Sequence, residues 1–398
     1  MSRLPLDGIR VLELGNYMAG PYAGTLLGDM GADVVKIEPP GEGDYTRGLG
    51  PFPPGSKDGA SFLRLNRNKR SLALDLKRAE GKRAFLALVR RADVVIENFR
   101  AGTMDSLGVG YEALVTERPA VVYLSVTGFG RTGPYRDRPG LDLILQAESG
   151  IMSATGEEDR PPVKVGVPVV DMATALYGAY AVVCALRVRD RDGVGQLIDL
   201  SLLEAGVSLA IWESGVYLTT GEIPGRLGSA HRLTAPYQAF RTKDGYIAVG
   251  ATTPPTWPAF CRVLGLEDLL SDAGLATGSL RFGRRGELAE RIERVTVTKT
   301  TDEWMGALQD AGVPCGRINT YADVFADPHL AARGIFADIP DPVLGALRSI
   351  GSPLHLSKTP PRLLRSGPRL GEHSREILVE AGISARDIDA LFAAGVTS

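Results

Sequence analysis

The sequence predicts an α/β chain: a Rossmann-like large domain on a parallel sheet, with a smaller α+β domain after it. Three observations carry that expectation. Short apolar runs alternate with helical patterns along the N-terminal part of the chain. Near Gly225 the alternation gives way to a hairpin pattern. After Pro340 the chain turns to short strand patterns and then two short helices.

The elements follow in order. IRVLELG, residues 9–15, is an apolar run ending at glycine and reads as a buried strand. PYAGTLLGDMG reads as a helix opened by Pro21, since proline suits the first helical position. ADVVKIEPP is a strand stopped by two prolines, EGKRAFLALVRRA a helix, and DVVIENF and PAVVYLSVTGFG two more strands. Residues 1–200 are therefore expected to form the large domain, completed by residues 340–398. Residues 201–224 read as a linker, 225–330 as the small domain and 331–339 as the return linker. In the small domain APYQAFRTKDGYIAVGA predicts a hairpin turning at Lys243, Asp244 and Gly245. HSREILVEAG and ISARDIDALFAAG predict the closing helices, each with a glycine stop.

The chain has 398 residues, 44% hydrophobic, enough for a substantial core and more than one domain. A net charge of −2 gives no global signal for nucleic acid. The start, MSRLPLDGIRVLELG, lacks the apolar core and cleavage site of a signal peptide. The longest apolar segment, near residues 172–186, is too short to span a bilayer. Cys184, Cys261 and Cys315 are odd in number and widely spaced, and the four histidines form no metal pair. A cytoplasmic protein without metal or membrane is expected.

Two sites invite chemistry. The first turn, GNYMAGPYAG, carries Gly15, Gly20 and Gly24, and Glu38 ends the second strand, as in a dinucleotide fold. The middle glycine of G-x-G-x-x-G is missing and Tyr17 and Met18 crowd the turn, so a plain packing turn is expected. The second site is VGVPVVDMATALYGAYAVVCAL, where Asp171 stands between a strand-like run and a helix. Asp171 reads either as the N-cap of that helix or as a group with chemistry. Helix amides favour an ionised carboxylate, and an ionised carboxylate can attack an activated acyl group such as a thioester. The resulting anhydride needs water kept out. Gly128, Gly130 and Gly133 offer close backbone approach or are ordinary turns.

Several blocks, in order, resemble the class III coenzyme A transferases, the CaiB/BaiF family of formyl-CoA and carnitine-CoA transferases and α-methylacyl-CoA racemases. They include AGPYAGTLLGDMGADVVKIEPPGEGD, NRNKRSLALDLK, ADVVIENFRAGTMDSLGVGYE, LSVTGFGRTGPYRDRPGLDLILQAESG, VGVPVVDMATALYGAYA and LGEHSREIL. The resemblance covers nearly the whole chain. It implies an acyl-CoA:carboxylate CoA-transferase in which Asp171 is the nucleophile, acyl-CoA (with succinyl-CoA one donor in the family's range) and a carboxylic acid are substrates, and no cofactor is permanently bound. It also implies an interlocked homodimer. Leu74, Lys77, Asn98, Phe99 and Arg100 would lie around the nucleotide of CoA, and Gly140, Leu141 and Asp142 at its pantetheine end. Lys69 and Arg70 are further cations for the phosphates, or surface charges. His231 and Arg232 face the acyl pocket or sit on a hinge loop.

Departures narrow the reading. The racemase branch has a histidine where this chain has Leu141, and leucine cannot carry a proton. Racemase or epimerase activity, and a non-catalytic CoA-binding role, remain the alternatives. The glycine run of formyl-CoA transferases is replaced by AHRLTAPYQAF, their first-turn glutamine by Met18 and their arginine by Pro39, which argues against formyl-CoA and oxalate.

Overall fold

The computed structural model describes residues 3–398. The chain divides into two compact units. The first comprises the chain up to Ile151, Lys164–Thr219 and His329–Ser398; the second comprises Met152–Val163 and Thr220–Pro328.

The first unit is built on six parallel strands: β1 (Arg10–Glu13), β2 (Asp33–Glu38), β3 (Lys69–Ala73), β4 (Val94–Glu97), β5 (Val122–Thr127) and β6 (Leu197–Ser201). Their order is β3-β2-β1-β4-β5-β6, the doubly wound order with its switch point between β1 and β4. Period-two alternation splits their side chains between two cores. Val11, Val34, Val94, Ile96 and Leu124 pack with the helices Ala19–Asp29 and Val169–Asp192. Leu12, Val35, Leu72, Val95 and Tyr123 pack with Ala79–Val89 and with the closing helices Ser374–Glu380 and Ala385–Ala393. The C-terminal segment thus buries the second face of the sheet.

The second unit holds the antiparallel strands β7 (Tyr237–Arg241), β8 (Tyr246–Gly250) and β9 (Cys315–Arg317), in the order β7-β8-β9. Phe240, Ile247, Trp257, Phe260, Ile292 and Trp304 form its core. A hairpin of β10 (Phe336–Asp341) and β11 (Gly345–Ile350) follows in the first unit.

Six expectations need correcting. Residues 201–224 are no plain linker: Ser201 accepts from the Glu204 N–H (3.0 Å) and caps the helix Leu202–Leu209, and Ser214–Thr220 is a second helix. Residues 152–163 belong with the second unit, although they precede the last strand of the sheet. The return linker 331–339 contains the start of β10, because residues 336–341 pair with 345–350. Pro21 is the third residue of its helix, which starts at Ala19. The run before Asp171 is not a strand, and the helix Val169–Asp192 has 24 residues. Nor is the apolar segment too short to span a bilayer: the helix extends through its charged end at Arg189–Asp192 and is long and apolar enough to cross a membrane by length and composition alone. It packs against the helix Ala19–Asp29, with Gly178 facing Ala23 and Leu124.

Candidate active site

A helix joining neighbouring parallel strands runs antiparallel to them, so its N-terminus lies at the carboxyl edge of the sheet. Val169–Asp192 joins β5 to β6 and sets Asp171 there, at its third position. Asp171 is not the N-cap; that position is Pro168 and offers no side-chain acceptor. The cap comes from another segment. Asp142, first residue of the helix Asp142–Glu148, accepts through Oδ1 from the backbone N–H of Val170 (3.0 Å) and of Asp171 (3.3 Å). Its Oδ2 accepts from Gln146 Nε2 (2.6 Å), and Gln146 Oε1 accepts from the Val165 N–H (2.9 Å).

This arrangement reverses an electrostatic expectation. The helix amides were expected to hold the Asp171 carboxylate ionised, but two of them serve Asp142. Burial, and then the Asp142 charge beside it, push the Asp171 carboxyl up to about 7. At neutral pH Asp171 exchanges between acid and anion, and its anion is poorly solvated.

Glycine sets the approach to Asp142. A Cβ on Gly140 would stand 2.8 Å from the Gly128 Cα, so these two backbones touch only because both residues are glycine. Of the alternatives for Gly128, close approach is the one realised. Arg138 closes the intervening loop by lying over the rings of Phe129 (4.5 Å) and Tyr135 (4.6 Å) and pairing with Glu148.

The other predicted residues separate into two groups. Leu74, Lys77, Asn98, Phe99, Arg100, Gly140, Leu141 and Asp142 all follow the ends of β3, β4 or β5, at the same edge as Asp171. Lys77 and Arg100 are exposed, without ion-pair partners among the described residues, and Leu141 is 61% exposed. Leu74 points into the core. Asn98 braces the first turn, accepting from the Asn16 N–H and donating to its carbonyl (both 2.7 Å). The Phe99 N–H donates to Glu97 Oε2 (2.9 Å). Lys69 and Arg70 are not surface cations for phosphate. Lys69 is fully buried on Glu13, and Arg70 is held by Asp33, Glu376 and Glu380. Glu38, the acid of the dinucleotide pattern, is occupied by Arg47 and Ser71. In the second unit His231 Nδ1 accepts from the Leu233 N–H, and Arg232 donates to the carbonyls of Gly225 and Ala154.

Sequence reasoning missed Gln146 and Asn16, and read Tyr17 only as crowding the first turn. Gln146 could have been found, for it stands four residues after Asp142 on a helical pattern. Tyr17 adopts φ 61°, a left-handed conformation costly for a bulky residue, and lines a cavity of about 620 Å³ with Asn16, Pro39, Gly43, Tyr45 and Leu49.

The fold and site define a class: a doubly wound α/β protein presenting a desolvated carboxylate at the carboxyl edge of its sheet, beside a second carboxylate that caps its helix. The family model for CoA-transferase family III matches residues 6–374. A succinate–glutarate CoA-transferase of Agrobacterium fabrum is 40% identical over 381 residues, covering 94% of this chain and 95% of that protein. The succinyl-CoA:glutarate CoA-transferase of Homo sapiens is 37% identical over 393 residues, covering 98% and 90%. The crystal structure of a CaiB/BaiF family protein from Brucella suis superimposes with a TM-score of 0.86 at 40% identity, covering 96% of this chain and 100% of that one. The chain belongs to CoA-transferase family III and is a CoA-transferase.

Proposed function

We propose that this protein moves coenzyme A from succinyl-CoA to a second carboxylic acid, a dicarboxylic acid such as glutarate, with Asp171 as nucleophile. The observation that carries this reading is Asp171 itself: a half-buried carboxylate without a cationic partner among the described residues, at the mouth of the sheet. The anion attacks the thioester carbonyl, CoA leaves as thiolate, and an aspartyl–succinyl anhydride forms. The thiolate then attacks the aspartyl carbonyl, succinate leaves, and CoA is held as an aspartyl thioester. The acceptor carboxylate attacks that thioester and releases the thiolate again. The thiolate takes the acceptor acyl group and frees Asp171. Each intermediate is an activated acyl group, so the low solvation that raises the Asp171 pKa also serves to keep water from it.

Lys77 and Arg100 are the cations for the CoA phosphates; Leu74, Asn98 and Phe99 shape the nucleotide edge, and Gly140, Leu141 and Asp142 border pantetheine. The working form is an interlocked homodimer. Leu176, Tyr177, Tyr180 and Val183 stand exposed on the nucleophile helix, and Ile211, Trp212 and Leu218 after it, an apolar surface suited to a second copy. The free cysteines Cys184, Cys261 and Cys315 suit a reducing cytoplasm. Nothing at Leu141 favours the racemase alternative.

The test uses the homogeneous full chain with succinyl-CoA and glutarate. Asp171→Ala should lower turnover at least about 1,000-fold, as loss of a nucleophile does. Mass spectrometry of the wild-type enzyme mixed with succinyl-CoA should find CoA bound through Asp171. Retained turnover in the variant refutes the assignment.

A further inference from the structure

Gln146 is fully buried, and no step of the reaction above uses it. We propose that Gln146 is a positioning residue: its amide straps the carboxylate that caps the nucleophile helix to the segment that enters that helix, and so fixes where Asp171 points. The inference rests on the reading of Asp171 as nucleophile.

The geometry is a closed ring. Gln146 Nε2 donates to Asp142 Oδ2 (2.6 Å), and Asp142 Oδ1 receives the N–H groups of Val170 and Asp171. The chain then runs back to Val165, whose N–H donates to Gln146 Oε1 (2.9 Å). One side chain therefore donates at one end of the ring and accepts at the other. Among neutral side chains of this length only an amide does both in fixed directions. Without it, the Val165 N–H and Asp142 Oδ2 each lose a partner at a partly buried site. The helix Leu202–Leu209 packs closely beside the strap: a Cβ on its Gly206 would stand 2.9 Å from Ser149 and 3.3 Å from Val170.

Other charges around the strap are accounted for. Glu148, on the same helix, pairs with Arg138. Glu204, on the helix packed against it, accepts from Ser201 Oγ (2.6 Å). Lys164 Nζ donates to the Val165 carbonyl (3.4 Å). Asp171 and Asp142 are the acids facing each other.

Two variants separate strap from packing. Gln146→Met keeps the volume and loses both hydrogen bonds; kcat should fall about 10–100-fold with KM for succinyl-CoA within about twofold, the pattern of a displaced reacting group. Gln146→Glu mimics the amide only while protonated, since the acid form donates and accepts and the anion cannot donate. Its activity relative to wild type should be highest near pH 5.5 and fall about tenfold or more by pH 8, because the anion meets two other carboxylates. Thermal denaturation of Gln146→Glu and wild type over the same range gives an activity-independent readout: the Tm gap should widen as pH rises. Unchanged kcat in Gln146→Met, or a flat pH ratio together with a flat Tm gap, overturns the proposal. If wild type transfers no CoA, or Asp171→Ala keeps transferring it, the functional reading fails instead, and the Tm gap alone decides the strap.

Discussion

Two charge clusters of the first unit, one buried and one half-buried, are built on opposite rules. Beneath the first turn, every acid meets a cation. Lys36 Nζ reaches Asp44 (2.9 Å) and the Gly15 carbonyl (2.8 Å), and Lys69 Nζ reaches Glu13 (2.9 Å), the Pro21 carbonyl (2.7 Å) and Asn66 (2.8 Å). Arg47 clasps Glu38 through two nitrogens, each at 2.7 Å. Burial would push Glu38 and Asp44 up, yet Arg47 and Lys36 hold both below their ordinary values. At the start of the helix Val169–Asp192 no cation among the described residues approaches Asp171, and burial and Asp142 push it up instead. The first cluster is bound tightly enough to hold a turn in place. The second keeps a carboxylate under-stabilised, which suits chemistry and works against stability.

Breaking the first cluster should have the largest effect on folding. Lys69→Met leaves Glu13 buried with Lys36 at 3.4 Å as its remaining cation. Removing one partner of a buried pair costs about 3–5 kcal/mol, so urea unfolding should show a loss of that size. A loss below about 1 kcal/mol would mean that water or rearrangement satisfies Glu13.

The same contrast explains what the sequence disclosed. Strand-and-helix alternation exposed much of the sheet, because β1, β2, β4 and β5 carry apolar residues on both faces and most breaks carry glycine or proline. β3 was hidden: KRSLA begins with two charges, which a pattern reader assigns to solvent, and the structure buries both in ion pairs. For the same reason Lys69 and Arg70 looked like phosphate ligands. Asp171 was legible by position and by family resemblance, but its partner was not. Asp142 and Asp171 are 29 residues apart, and the excursion of residues 152–163 into the second unit lies between them. Local sequence shows a helix start wanting a cap; it does not show that the cap arrives from another helix.

Asp171→Asn sharpens the comparison from the other side. In the folded protein this carboxyl stays protonated up to about 7, whereas in the unfolded chain it ionises near the ordinary aspartate value of about 3.9. Between those values the folded state holds the extra proton, so the contribution of Asp171 to stability falls as pH rises through the window and is gone above it. Asparagine has no such loss. The variant should match wild type near pH 4 and exceed it by about 1–3 kcal/mol at pH 8, read by denaturant unfolding at each pH. Glu97, pushed up to about 7 by burial despite its bonds from Ser125 and the Phe99 N–H, remains in both proteins and leaves a residual slope of the same sign. Equal stability at pH 8 would place Asp171 in a better solvated site than its neighbours indicate.

The smallest expected effect isolates the charge of Asp142 from its role as a cap. Asp142→Asn keeps an oxygen for the Val170 and Asp171 N–H groups but removes the negative charge beside Asp171. Gln146 must then turn its amide to meet the new NH₂ group, so some loss of plateau rate is expected. The informative quantity is the acid limb of kcat/KM against pH, which reports ionisation of the proposed nucleophile, Asp171, in the free enzyme. Burial is the larger cause of the raised Asp171 value and stays; the Coulombic part goes, so the limb should move to lower pH by about half a unit to one unit. A limb that does not move would mean that desolvation alone sets the Asp171 ionisation. A limb that moves upward would mean that Asp142 orders the helix amides around Asp171, and that losing this order outweighs losing the charge.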